Sequence, residues 1–253
     1  MMTAGPMPMR PSGGRILVLD LGRTLALIGM AIFHFGFDLE AFGHIAPGTM
    51  TSGFWYYFAR SVAGSFLFLV GISLWLAHGH GIRWRPFLVR LGQIVAGAAL
   101  VTLGTWKLFG PAFVFFGILH SIALSSVIGL AFLRLPPLLT LAAAVLAFYL
   151  PDLVAADHFA SLWLVWTGLA PYTVYSVDFI PTFPWLAPVL AGLALAKLAD
   201  RAGLWQRLRG WPAAPGRWTR WLAWPGRHGL FVYLVHQPIL ISLVWAATQL
   251  TRG

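Results

Sequence analysis

The chain is 253 residues long, 59% hydrophobic and only 9% charged, where a soluble domain carries about 25% charged residues. These values exclude a soluble globular protein, a disordered chain and a fibrous repeat, and the long unbroken apolar runs exclude a β-barrel that alternates by two. Cysteine is absent, so neither a disulfide nor a thiolate site can form, and the net charge of +10 reads as basic cytoplasmic loops of a membrane protein, with no nucleic acid as partner.

Residues 1–15 are polar and rich in Gly and Pro, with Arg10 and Arg15. They read as a cytoplasmic tail ahead of one transmembrane domain, 16–253. The apolar stretch 16–39 follows. It is too long for a cleaved signal segment and contains Asp20 and Arg23, so it stays as a membrane anchor. Further runs long enough to cross the hydrocarbon are 54–77, 87–108, 112–133, 138–150 with some extension, 184–199 and 229–250. The stretch 159–177 is apolar but broken by Gly168, Pro171, Tyr172 and Tyr175. It reads as an outer-face segment with a re-entrant or interfacial helix; an eighth span is the alternative. The prediction is an all-α polytopic membrane protein of about seven helices with a cytoplasmic N-terminus.

The charges agree with an odd number of crossings. Seven spans put Arg83, Arg85, Arg90, Arg134, Lys197, Arg201, Arg207, Arg209, Arg217, Arg220 and Arg227 in inner loops. They put Asp38, Glu40, Asp152, Asp157 and Asp178 outside, with only Lys107 and Arg252 as cations there. Eight spans would send the basic 200–227 loop outward, against the positive-inside rule.

Ionisable groups within spans are expensive and mark function by default. The set is Asp20, Arg23, His34, Asp38, Arg60, His120 and His236. Arg23 and His34 are eleven residues apart, which places them on one helix face roughly 16 Å from each other. His34 and Asp38 share that face at i,i+4. The result is a polar stripe, Asp20–Arg23–His34–Asp38. A carboxylate beside an imidazole suits a general base. Arg23 can hold a phosphate or pair with Asp20. A structural ion pair at Asp20–Arg23 and interhelical hydrogen bonding by His34 and His236 are the plainer readings. Pro238 frees a helix carbonyl beside His236 and Gln237, as in broken helices that line cavities. His34 and His120 fall in outer halves of their spans and His236 nearer the inner half, so no metal is expected.

The stretch 15–30, then His34-Phe35-Gly36-Phe37-Asp38-Leu39, resembles the opening of the heparan-alpha-glucosaminide N-acetyltransferase catalytic-domain family, within the transmembrane acyltransferase superfamily. So do Gly117-Ile118-Leu119-His120, the aromatic segment 178–185, Gly226-Arg227-His228 and Tyr233-Leu234-Val235-His236-Gln237-Pro238. Thr24 stands where the family usually has Gly after the Arg. The resemblance implies an enzyme that moves acetyl from cytoplasmic acetyl-CoA to an acceptor at the outer face of a bacterial inner membrane. It implies His34 as general base or transient acetyl carrier, with Asp38 supporting it. It places Arg23 on the CoA side, where Asp20, Arg83, Arg85, Arg90 and Arg227 are further candidates. His120, His236, Gln237 and Asp178 occupy motif positions without an assigned role. A glycan or lipid-linked sugar is the implied acceptor, and a homo-oligomer is compatible with it. The competing class is a proton-coupled transporter, because intramembrane His and Asp also build proton relays.

Overall fold

The computed structural model describes residues 15–209, 211 and 216–252. Apart from Arg15, the tail expected over 1–15 lies outside the described residues. The long helices are α1 (Leu17–Ala41), α2 (Gly53–His78), α3 (Trp84–Phe109), α4 (Ile118–Phe132), α5 (Pro137–Val154) and α6 (Thr182–Arg201). Three short helices, α7 (Leu204–Arg209), α8 (Arg217–Leu222) and α9 (Trp224–Arg227), lead into α10 (Gly229–Arg252). Of these, α1, α2, α3, α5, α6 and α10 are long and apolar enough to cross a membrane. The protein is an all-helical integral membrane protein.

Two expectations are corrected. The fourth span does not run over 112–133: α4 has 15 residues, about 22 Å at 1.5 Å per residue against ~30 Å of hydrocarbon. Gly110 turns the chain at a φ of 54°, and Pro111 lacks the N–H that a continuing helix needs. Beyond the short turn Gly110–Ala112, the chain approaches α4 without helical structure and pairs at Phe116 with Phe179. The segment 159–177 forms neither an interfacial helix nor an eighth span. It holds only the single turns Asp157–Ala160 and Val165–Thr167, the second closed by Gly168 at a φ of 82°.

The contacts fix the sense of the passes. Thr24 meets Gly226, Asp38 meets Gln237, and His44 meets Thr248. The numbers rise together, so α1 and α10 run parallel. A chain that folds back at each connection needs an odd number of passes for that. The six longest helices alone would leave α10 antiparallel to α1. Hence α4 completes a pass of the bundle despite its length.

The centre of the bundle is α6. It lies between α2 and α5, with Leu67, Val189, Leu190 and Leu193 fully buried. Two glycines allow the approach to α2: a side chain at Gly71 would strike the Val189 carbonyl, and one at Gly192 the Phe68 carbonyl. Between lipid-immersed helices, such close packing replaces the hydrophobic drive as the source of cohesion. On the other side of α2, α1 packs between α2, α9 and α10.

Lys197, expected in an inner loop, lies inside α6 and is 3% exposed. Its ammonium donates to the Phe132 carbonyl at 2.6 Å, the Leu135 carbonyl at 2.9 Å and Thr140 Oγ1 at 2.8 Å. It thus takes up the carbonyl at the end of α4, which has no partner within that helix, and one from the turn that follows, and it pins the α4–α5 turn to α6.

Candidate active site

The polar stripe of α1 has two ends, and each meets the chain that leads into or forms α10. At one end Asp20 is 4% exposed and receives two guanidinium groups. Arg23 Nη1 donates to Oδ1 at 2.8 Å, and Arg227 Nε to Oδ2 at 3.3 Å. Arg23 Nη2 donates to Ser73 Oγ of α2 at 2.7 Å. Thr24 Oγ1 donates to the Asp20 carbonyl at 3.1 Å and accepts from the Gly226 N–H at 2.9 Å. Gly226 is required there, because a Cβ would strike the Asp20 carbonyl. Arg15 and Arg90 lie within electrostatic reach of Arg23. One carboxylate therefore faces several cations, which leaves a net positive pocket of the kind that binds phosphates.

Not every predicted cation reaches this pocket. Arg83 and Arg85 are exposed at the start of α3. The Arg83 backbone N–H donates to His78 Nδ1 and its Nε to the Ala77 carbonyl. It is Arg90, further along α3, that approaches Arg23.

At the other end of the stripe His34 and His236 lie side by side, ring centroids 5.1 Å apart. This corrects the expectation that His236 sits deeper. Gly226 docks beside Thr24, and the ten residues from Gly226 to His236 match the ten from Thr24 to His34. Counting depth from the first residue of α10 misplaced His236, because that helix starts about 15 Å further along the bundle than α1 does. Asp38 is 2% exposed. No hydrogen bond joins it to His34; its Oδ1 accepts from Gln237 Nε2 at 2.8 Å. Three buried atoms here have no partner: Asp38 Oδ2, Gln237 Oε1 and His236 Nε2. His236 Nδ1 lies 2.5 Å from the Tyr233 carbonyl. A carbonyl can only accept, so Nδ1 carries the proton and Nε2 a free lone pair. All three atoms are thus acceptors, carried by Asp38, by its hydrogen-bond partner Gln237 and by His236 beside His34.

His120 and Asp178 serve the start of α4. Gly117 precedes α4 and has no side chain to accept a first-turn N–H. Asp178 Oδ2 supplies that acceptor from 60 residues away, taking the Ile118 N–H at 3.1 Å. A Cβ on Gly117 would collide with the same carboxylate. His120 Nδ1 accepts from the Gly117 N–H at 3.3 Å, and Nε2 meets Thr102 Oγ1 at 3.4 Å. Both ring nitrogens are engaged in structure. The pairing continues through the Ile180 N–H to the Phe116 carbonyl, the Val177 N–H to the Ala112 carbonyl, and Ser176 Oγ to the Phe113 carbonyl. The motifs around 117–120 and 178–185 thus form one substructure. Burial pushes the Asp178 carboxyl up to about 6, against the opposing pull of the Ile118 N–H. Its charge lies within electrostatic reach of Tyr233, one turn before His236.

Among the described residues, no group of three His, Cys, Asp or Glu could hold a metal ion. Residues 15–238 match the family described as heparan-alpha-glucosaminide N-acetyltransferase, catalytic. The chain belongs to this family. As a heparan-alpha-glucosaminide N-acetyltransferase family protein it is, in general terms, a membrane acetyltransferase. The match runs from Arg15 to Pro238 and so includes both ends of the stripe. No curated protein and no solved structure matches the chain significantly. Sequence reasoning missed Ser73 and gave Tyr233 no role beyond its place in the motif, whereas Arg90 was already among the cations expected to face the donor's phosphates. Only Thr24, the departure from the family's usual Gly, carried a signal, and it is the residue that bridges α1 to Gly226.

Proposed function

We propose that the protein transfers acetyl from acetyl-CoA to the primary amine of an amino sugar, on a glycan or a lipid-linked acceptor. The observation that carries this reading is the set of three unpartnered buried acceptors, Asp38 Oδ2, Gln237 Oε1 and His236 Nε2. An ammonium brings three N–H donors and one positive charge. It would satisfy all three atoms and neutralise Asp38. The donor's phosphates would rest on Arg15, Arg23, Arg90 and Arg227, with the pantetheine arm directed along α1 toward His34. Basic inner loops support a plasma-membrane orientation with the donor on the cytoplasmic side and the acceptor outside.

In this mechanism His236 Nε2 takes one proton from the bound ammonium and frees a nucleophilic amine. The nitrogen attacks the thioester carbonyl, and His34 removes a second proton as the C–N bond forms. The C–S bond breaks, and the CoA thiolate takes the proton that His34 holds. The products are the amide, CoA thiol and one proton, released by His236. Asp38 and Gln237 hold the amine so that attack is intramolecular in effect.

The test uses the purified full chain in detergent, acetyl-labelled acetyl-CoA, and glucosamine or glucose as acceptor. Glucose offers a hydroxyl where glucosamine has the amine. Label on glucosamine but not on glucose, lost in His34→Ala while CoA still binds, is the expected result. Label on glucose would overturn the amine reading. Absence of CoA binding in the wild type would overturn the acetyl-CoA reading and favour a transporter.

A further inference from the structure

Away from both ends of the stripe, α4, α5 and α6 enclose an open cavity of about 210 Å³ whose lining includes Trp75, Arg134, Leu135, Lys197, Asp200 and Arg201. Its floor is an unusual cation. All three donors of the Lys197 ammonium are taken by neutral oxygens, from Phe132, Leu135 and Thr140. The Trp75 ring lies 5.7 Å from Nζ. No carboxylate neutralises this buried charge directly. Arg134 and Arg201 are exposed at the rim, and neither forms an ion pair among the described residues. Asp200 supplies the only carboxylate in the lining, and its Oδ2 is 3.2 Å from His80 Nε2. Arg201 is close enough to Lys197 for the two charges to repel. A cavity with three cations and one engaged carboxylate in its lining lacks an anion.

We infer that this cavity binds the phosphate of an anionic phospholipid headgroup, seated between Arg134 and Arg201 above Lys197. Two guanidinium groups suit a phosphate through charge-assisted, bidentate hydrogen bonds. Basic pockets between membrane helices are the usual seats of such headgroups. The volume falls below the ~300 Å³ at which pockets for drug-sized ligands begin, so it suits a headgroup and not a nucleotide. The indole of Trp75 and the Pro136–Pro137 turn offer apolar walls toward the acyl chains. A lipid seated here would clamp the α4–α5 turn to α6, the contact that Lys197 already begins. The inference is independent of the acetyl-transfer reading, because none of these side chains touches the α1–α10 site.

The test measures retention of phosphatidylglycerol by the purified full chain with native mass spectrometry, with phosphatidylcholine of equal chain length as control. The variant Arg134→Gln/Arg201→Gln removes two exposed charges and leaves Lys197 in place, so folding is retained. Phosphatidylglycerol affinity is expected to fall about tenfold or more in that variant, with phosphatidylcholine retention unchanged. Arg217→Gln/Arg220→Gln removes the same charge from α8 and should leave retention unaltered. Equal loss in both double variants would mean diffuse surface charge and would overturn the site. Inorganic phosphate separates the two sources of the anion. If millimolar phosphate displaces the lipid and itself stabilises only the wild type, the cavity is a free-phosphate site. If phosphate has no effect, the lipid headgroup is the ligand. Equal phosphatidylglycerol retention in the wild type and Arg134→Gln/Arg201→Gln would end the proposal. Lys197→Met adds the buried charge to the comparison where it folds.

Discussion

The two ends of the α1 stripe are built in opposite ways. At the Asp20 end both carboxylate oxygens are taken, Arg23 has a second partner in Ser73, and Thr24 closes on Gly226. At the Asp38 end the carboxylate is half satisfied, and Gln237 and His236 each keep an idle buried acceptor. A saturated polar cluster holds helices in place. An unsaturated one bears a desolvation cost of about 1–3 kcal/mol for each orphaned group, a cost that a bound ligand can relieve. The same helix thus carries an anchor at one end and a receptive site at the other.

Substitutions can break or sharpen this contrast. The largest effect belongs to the Asp38 end: His34→Ala should cut acetyl transfer by about 10²–10⁴-fold, read by label transfer, with CoA binding kept. A similar loss of CoA binding in that variant would erase the division between the ends. Asp20→Ala should act mainly on stability. It leaves Arg23 and Arg227 facing each other in a half-buried site, and ~3 kcal/mol should be lost in mixed-micelle unfolding. If Asp20→Ala unfolds like the wild type, the Asp20 cluster is no anchor.

Asp178 tests the link between α4 and the Asp38 end. Its carboxyl is raised in the folded state, so the folded chain keeps a proton that the unfolded chain has released. Stability should therefore fall as pH rises from about 4 to about 6 and level off above. Asp178→Asn keeps the acceptor for the Ile118 N–H and removes the titration. Over that pH window its unfolding should lose a slope worth ~3 kcal/mol; parallel pH profiles for the two proteins would refute the assignment. The smallest effect is at Thr24→Ala. It strands the Gly226 N–H and should cost about 1 kcal/mol with turnover at saturating acetyl-CoA unchanged.

The helical periodicity of 16–39 made the stripe legible, because four polar residues in an apolar run fall on one face by arithmetic alone. The partners were not legible. Gln237 reaches Asp38 across 199 residues, and nothing local marks that pairing. His236 was misplaced because the start of a span was taken as its depth, whereas Gly226 sets the register of α10. The short α4 was hidden by the apolar Phe113, Val114, Phe115 and Phe116, which extend the run without extending the helix. Lys197 was assigned to a loop on charge, since two of its three neutral acceptors are backbone oxygens that no residue type reveals.

The unequal charge at the two ends of α1 has one more consequence. Arginines outnumber the single carboxylate at the Asp20 end, whereas the charges that α1 carries at the other are the carboxylates of Asp38 and Glu40. The helix therefore carries a standing electrical polarity along its length. On the proposed reading, the polyanionic donor and the cationic acceptor are each drawn to one mouth and repelled from the other. Sorting by sign then precedes any fit of shape, and rising ionic strength should blur it for both substrates together.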